Sequence, residues 1–291
     1  GQLAFEKATG GAWTMKGLTG DEVFDEAGNP CKILATYSGM PETAYRLTFS
    51  DGATLIADGE HQWVTWTHRD RKQYLRHNPG AIDFPTDWPS YSQSLNDCHG
   101  NVTGHCGPQI RTTQDIIDTF WHSTRKDANH CVPVCGDLNL PEQELILDPW
   151  LLGYWLGNGA AKGAHISCHM DDVDEVEQRY QAAGFFTKRY AKVREFNASG
   201  LTQPLRALDV LNNKHVPQDY LRASARQRIA LLAGLLDSDG HCSIRNGCIE
   251  FSSTTRSLAD AVMELARSFG QKPALKIKRA TLYGKDCGEA Y

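Results

Sequence analysis

Two nine-residue segments of the chain end in side chains that could bind a divalent cation. They are LLGYWLGNG, residues 151–159, and LAGLLDSDG, residues 232–240; each has a leucine first, a glycine third and a glycine last. The residue before the final glycine is Asn158 in the first segment and Asp239 in the second. Amide and carboxylate oxygens both ligate hard cations, but only the carboxylate brings a charge. The pair therefore predicts a two-part metal site with a strong half at Asp239 and a weak half at Asn158.

These residues can meet only if both segments lie on packed helices. Asp148-Pro149 is a typical helix start, with Asp as the N-cap and Pro in the first turn, and it predicts a helix that ends at Gly159. A second helix is predicted over 225–238. Gly153 and Gly234 leave space where two helix backbones approach closely. We therefore expect the helices to pack side by side, with their polar ends together.

Each predicted helix opens a similar order of elements, which indicates an internal duplication. In the first copy a strand, a helix over 172–183 and further strands follow, the last of them over 204–210. In the second copy we expect a hairpin that turns on Asn246-Gly247, a helix over 256–269 and a strand over 273–278. Two similar helices could also arise by chance, but the equivalent order of elements after each of them argues against that interpretation.

The expected fold class is α+β, with two αββα-type repeats, 148–223 and 224–291, related by a pseudo-two-fold axis. Their strands are expected to form a basic surface for double-stranded DNA, with the candidate contacts Arg245, Lys276, Lys278 and Arg279. The charge distribution agrees, because 148–291 holds 19 Lys and Arg against 16 Asp and Glu, whereas the whole chain carries −5.

The first 110 residues are predicted to be all-β with a loop insertion. Alternating apolar and polar residues are interrupted by turn signals at 27–30 and at Asp51-Gly52. Residues 111–147 are predicted to be a linker with a short helix over 113–122. No apolar run is long enough to cross a membrane and no signal peptide opens the chain, so a cytoplasmic location without a membrane partner is expected.

The paired segments resemble the LAGLIDADG (DOD-type) homing endonucleases, in their single-chain, double-motif form. The run NKHVPQDYL, residues 213–221, also resembles the sequence that precedes the second motif in members carried by inteins. The resemblance implies a monomer that cuts a long DNA site with Mg²⁺ or a similar cation. It places the metal ligands at Asp239 and, as a degenerate equivalent, at Asn158, so cleavage is expected to be impaired. Asp237 has no acidic counterpart in the first motif and is interpreted as a helix-end charge.

The first part of the chain resembles the opening blocks of an intein, a self-splicing element with a horseshoe-shaped Hint domain. The matched features are the turn GDEV at 20–23 and His61, although Asp58 stands where the family has threonine. Trp63 gives a His-x-Trp pattern that resembles class 3 inteins, which dispense with a nucleophile at the first residue. The resemblance implies that His61 polarises the scissile peptide, that Trp63 packs near the splicing cysteine, and that no cofactor is needed.

Several interpretations stay open at this point. The C-terminal splicing blocks of the intein family are missing after Tyr291, so splicing is not expected of the chain as it stands. If it is an intein, its partners are the flanking host segments (exteins), and a phage or bacterial replicative helicase or terminase is a typical host. The alternative is a free-standing LAGLIDADG endonuclease or DNA-binding protein with an accessory β domain. In isolation, His61 would be interpreted as a hydrogen-bonded strand-end residue and Trp63 as core.

Overall fold

A computed structural model of the chain divides into two compact units, unit 1 at residues 1–138 and unit 2 at 139–291. The residues that the structure describes are 4–8, 20–35, 43–78, 93–96, 102–122, 127–190, 194–282 and 285–291. The boundary falls inside the predicted linker, 111–147. Much of the predicted loop insertion, at 79–92 and 97–101, lies outside the described residues. Within the described part of the chain, no helix is long and apolar enough to cross a membrane.

Unit 1 is built mainly from short antiparallel strands. They are β1 (Ala4–Ala8), β2 (Glu22–Phe24), β3 (Pro30–Lys32), β4 (Ala44–Thr48), β5 (Thr54–Asp58), β6 (Gln62–Thr67), β7 (Gln93–Asn96), β8 (Val102–Cys106), β9 (Gln109–Thr112) and β10 (His130–Cys131). Its helices are α1 (His68–His77) and α2 (Thr113–Asp118). The strands form three-stranded sheets in the orders β1-β4-β5 and β10-β6-β9, and β2–β3 and β7–β8 form separate two-stranded hairpins.

Both turn signals of the sequence form hairpins. Gly28 and Gly52 have φ angles of 86° and 85°, a region that glycine enters without a Cβ clash. In the second hairpin Gly52 N–H donates to the Phe49 carbonyl at 2.9 Å, and β4 pairs with β5 from Ala44↔Asp58 onward.

The all-β prediction for residues 1–110 is wrong at α1. Thr67 and Asp70 form a capping box, in which each side chain accepts the other residue's backbone N–H. Asp70 is also buried and pairs with Arg111 at 3.0 Å. A local cap and a distant ion pair therefore stabilise a helix whose remaining surface is too polar to show an apolar stripe.

Unit 2 contains two repeats of mixed helix and strand. The first repeat consists of α3 (Pro149–Asn158), β11 (His165–Ser167), α4 (Val173–Ala182), β12 (Phe186–Arg189), β13 (Glu195–Ser199) and α5 (Thr202–Ala207). The short helix α6 (Gln218–Leu221) leads to the second. That repeat consists of α7 (Ala225–Asp239), β14 (Gly240–Cys242), β15 (Ile249–Phe251), α8 (Arg256–Arg267), β16 (Lys278–Leu282) and β17 (Lys285–Ala290).

The repeats follow the predicted αββα order only in part. The second repeat has two strands between its helices, but in the first the equivalent of β14 shrinks to a single bridge between Gly159 and Ile166. In both repeats a hairpin follows the second helix. In the first repeat this hairpin joins the sheet through β13, which pairs with β11. In the second it forms a separate two-stranded sheet, and backbone hydrogen bonds between Tyr291 and Ser253 connect it to the segment after β15.

Two predicted strands of unit 2 are wrong. The segment 204–210 contributes to helix α5, because Leu201 and Leu205 are both fully buried and lie one helical turn apart. The strand predicted over 273–278 begins only at Lys278.

Helix α3 lies at the centre of unit 2. Its residues from Pro149 to Leu156 are all buried, as expected of a helix surrounded by other elements. Asp148 is the N-cap and accepts the N–H of Leu151 at 3.1 Å. The hydroxyl of Tyr180, on α4, donates to the Leu151 carbonyl at 2.9 Å and fixes the helix against its own repeat.

Candidate active site

Helices α3 and α7 pack against each other through a reciprocal backbone contact. A Cβ atom on Gly153 would lie 2.3 Å from the Leu231 carbonyl oxygen, and one on Gly234 would lie 2.2 Å from the Trp150 carbonyl oxygen. Gly234 and Leu231 each follow their counterparts, Gly153 and Trp150, by the same 81 positions that separate the two motifs. The contact therefore maps onto itself when the repeats are exchanged, which is the signature of a local two-fold axis.

The helix ends converge at the same axis. The Asn158 amide nitrogen donates to the Ser238 carbonyl at 3.5 Å and to the Tyr154 hydroxyl at 3.4 Å. Asp239 lies on the other side, where its Oδ2 would be 3.1 Å from a Cβ on Gly157. The structure thus brings the two predicted metal ligands to the ends of neighbouring helices, with an amide on one side and a carboxylate on the other.

A third polar side chain enters this site from outside both motifs. The Lys214 ammonium donates to the carbonyl of Gly157 at 3.0 Å and to that of Gly159 at 2.7 Å. It also lies 5.3 Å from the centre of the Trp155 ring. No motif or spacing in the sequence points directly to this lysine. Its nearest signal is the run 213–221, which resembles the sequence before the second motif.

Burial and charge act in opposite directions on the two ionisable groups. Burial raises the pKa of Asp239, and the nearby Lys214 ammonium partly offsets this by lowering it. Burial likewise lowers the pKa of Lys214, and the Asp239 carboxylate partly offsets that effect. Both groups are therefore partly removed from water. At such a site an ion or a phosphate would meet a stronger electric field than at the protein surface.

The protein alone supplies few charged ligands here. Within the described residues, no three His, Cys, Asp or Glu side chains converge on a possible metal position. The Asp239 carboxylate does fit a hard cation, since Mg²⁺ commonly binds one or two carboxylates and takes its other ligands from waters and substrate phosphates. Asn158 fits less well, because its amide oxygen carries no negative charge.

Asp237 has a structural contact rather than a place in this site. Its Oδ2 accepts the indole N–H of Trp150 at 2.8 Å, across the helix pair. The same indole ring stacks on Tyr154 and carries the Arg179 guanidinium 4.2 Å above its centre. Asp237 therefore connects α7 to α3 through a hydrogen bond, a more specific role than that of a charge at a helix end.

The four predicted DNA contacts are all exposed in the second repeat. Arg245 lies in the turn between β14 and β15, and Lys276 lies in the extended segment before β16. Lys278 donates to the Ser252 hydroxyl at 3.4 Å, and Arg279 pairs with Asp286 on the adjacent strand. Arg279 is thus partly neutralised within its own hairpin.

The first repeat adds a polar row that sequence reasoning missed. Asn197 on β13 pairs with His165 on β11 and Lys188 on β12, so the three residues form one row across the sheet. His165 and Lys188 are exposed, whereas Phe196, one position earlier on β13, is buried. Alternation along the strands could have identified this outer row.

The residues of the predicted splicing site lie together in unit 1. The rings of His61 and Trp63 are 4.7 Å apart in an edge-on arrangement. The Trp63 indole N–H donates to the hydroxyl of Thr113 at 2.9 Å, and Thr113 N–H donates to the His61 carbonyl at 2.9 Å. Asp58 accepts the N–H of Glu60 at 3.0 Å and so closes the turn before His61.

Comparison with known proteins gives two matches. The chain is 32% identical over 283 residues to the replicative DNA helicase DnaB of Mycobacterium intracellulare, which covers 96% of this chain and 44% of the helicase. The chain thus spans less than half the length of that relative. Residues 226–287, which hold Asp239 and most of the second repeat, match the model of the LAGLIDADG-like domain.

Proposed function

We propose that unit 2 is a LAGLIDADG-type homing endonuclease domain that acts on double-stranded DNA. The observation that carries the proposal is the reciprocal packing of α3 on α7, which brings Asn158 and Asp239 to one axis. The LAGLIDADG-like match to 226–287 supports it independently. Lys188 and Lys278 on the strands, and Arg245 in the turn between β14 and β15, are exposed to solvent, where they would contact backbone phosphates.

The expected reaction is hydrolysis of a phosphodiester. A divalent cation such as Mg²⁺, when bound, would supply Lewis acidity and a more acidic water. Asp239 would hold it, and Lys214 would place a positive charge beside the phosphate. Asn158 brings no charge to the other half, so we propose that the domain cuts one strand much faster than the other.

This proposal is tested with a supercoiled plasmid that carries the uninterrupted helicase sequence at the position of this chain. With Mg²⁺ or Mn²⁺, we expect nicked circles and little linear product. Asp239→Asn should abolish nicking. Asp237→Asn is the matched control, since it lies two positions earlier on α7 and keeps an oxygen for Trp150; it should nick at the wild-type rate. Linear product as the main outcome would contradict the asymmetry. The absence of both nicking and DNA binding would contradict the function.

The second part of the proposal is that this domain sits within an intein. A LAGLIDADG-like domain inside a stretch that matches a replicative helicase is the arrangement that an insertion element in a helicase gene produces. The similarity to the helicase covers 96% of the chain, so unit 1 accompanies unit 2 in that relative. The proposed exteins are therefore the two parts of a replicative helicase.

In this role His61 and Trp63 would act at the splice junction without a cofactor, His61 on the scissile peptide and Trp63 beside it. Thr113 would hold the tryptophan ring through its hydroxyl. The alternative is a free-standing endonuclease with an accessory β domain. The coding sequence on either side decides between them, because helicase sequence on both flanks supports the intein and stop codons at both ends contradict it.

A further inference from the structure

The last carbonyl groups of α3 accept hydrogen bonds from a positively charged side chain of the protein itself, that of Lys214. Carbonyls in the final turn of a helix lack intrahelical partners and carry the negative end of the helix dipole. Such oxygens, together with carboxylates, are also the ligands of hard divalent cations. In this structure the Gly157 and Gly159 carbonyls both accept hydrogen bonds from the Lys214 ammonium, at 3.0 and 2.7 Å.

The lysine is held in place by its surroundings. Its side chain passes the Trp155 ring, and the ring face attracts the ammonium. The chain just before it is fixed by a bond from Asn212 N–H to the Ala161 carbonyl at 2.7 Å. Asn212 itself has a φ of 56°, so this turn is a defined conformation rather than an extended strand. The Asp239 carboxylate is close enough to act on this ammonium electrostatically.

The two helix ends differ in charge as a result. At the end of α3 there is a neutral amide, Asn158, and a bound ammonium. At the end of α7 there is the carboxylate of Asp239, and the Ser238 carbonyl accepts only the neutral amide of Asn158, at 3.5 Å. The end of α3 offers a divalent cation no carboxylate of its own and already holds a positive charge, whereas the end of α7 supplies a carboxylate.

We propose that the Lys214 ammonium occupies the cation position at the end of α3, so that the helix pair binds a single divalent ion, at Asp239. This inference rests on the proposed nuclease function, because that function gives the bound ion its role. It also implies that restoring the missing carboxylate alone, as in Asn158→Asp, does not create a second metal position. The new carboxylate would pair with the ammonium already there.

The test is a Tb³⁺ titration of the 291-residue chain without DNA, read by luminescence sensitised through Tyr154 and Trp155 beside the site. The variants are Asp239→Asn, Asn158→Asp, Lys214→Met and the double variant Asn158→Asp/Lys214→Met, each checked for wild-type circular dichroism. We expect one sensitised ion in the wild type, none in Asp239→Asn, one in each of the other single variants and two in the double variant.

Two sensitised ions in the wild type or in Asn158→Asp alone would overturn the inference. So would one ion in the double variant, or none in the wild type. The proposed nuclease function fails separately: the plasmid assay can show no nicking while the ion stoichiometry follows the expected pattern. In that case the lysine would still occupy the cation position of a domain that does not cut DNA.

Discussion

Replacing Gly153 by alanine tests the helix contact on which the candidate site depends. Its Cβ would lie 2.3 Å from the Leu231 oxygen and 2.9 Å from the Leu235 nitrogen, both backbone atoms of α7. Real Cβ contacts are essentially never shorter than 3.0 Å, so the helices would have to separate by about 0.7 Å. A gap of that size forfeits roughly a quarter to a half of the dispersion attraction along the contact. We expect the free energy of unfolding to fall by about 3 kcal/mol.

Gly234→Ala should cost a similar amount, because its Cβ would lie 2.2 Å from the Trp150 oxygen. The two changes should not be additive, since the separation forced by one makes room for the other. We expect the double variant to lose about 4 kcal/mol rather than about 6. Gly163→Ala is the matched control: it lies in the same repeat, has no atom within 4 Å of its Cβ, and should change stability by less than about 0.5 kcal/mol.

The assay is urea unfolding of the whole chain, combined with hydrogen exchange of the peptides that cover α3 and α7. Exchange assigns the loss to unit 2, because the two units need not unfold together. Single-variant losses below about 0.5 kcal/mol would refute the close backbone contact. Fully additive losses would refute the coupling between the two glycine contacts.

Two further predictions concern unit 1. The His130 side chain is only 3% exposed. Burial, and after it the charge of Arg111, lowers its pKa to about 4, whereas the pKa in the unfolded chain is about 6.5. Protonation of His130 therefore favours the unfolded chain. The contribution of His130 to stability should therefore be constant above pH 6.5 and fall by about 3 kcal/mol as the pH drops to 4. Urea unfolding of the wild type and His130→Gln at several pH values would measure this. If the free energy of unfolding changed with pH equally in both proteins between about pH 6.5 and 5, the prediction would be contradicted. Thr113→Val removes the hydroxyl that accepts the Trp63 indole N–H, so the N–H resonance should shift, its hydrogen exchange should become faster, and stability should fall by about 1 kcal/mol. Thr113→Ser keeps a hydroxyl and should leave the resonance nearly unchanged. NMR of the indole-labelled protein tests both.

The helices that sequence analysis found have local signals at their ends. Asp148-Pro149 predicted the start of α3, and the N-cap bond to Leu151 is present. α1 was missed although Thr67 and Asp70 spell a capping box, because the segment has no apolar period and its stabilising partner, Arg111, is 41 residues away. Helix α5 was missed because a short apolar run fits a buried strand as well as a helix.

The candidate site divides in the same way. Asn158 and Asp239 could be found because both stand at a fixed place in a repeated motif. Lys214 could not, since its two carbonyl partners are 57 and 55 residues earlier and no spacing rule connects them. The same holds for the Trp150–Asp237 bond, which spans 87 residues. Contacts that depend on tertiary placement leave no periodic trace in the chain.

The separation between fold and chemistry in unit 2 has a physical basis. The contact between α3 and α7 is made by backbone atoms opposite two glycines, so it does not depend on which side chain ends each helix. Asn158 even adds a weak bond to the Ser238 carbonyl, where a carboxylate would repel that oxygen. An amide at position 158 is therefore compatible with close helix packing, and it leaves the axis with the single carboxylate of Asp239. A helix pair of this kind can have a two-fold backbone contact while the side chains at its two ends differ in charge.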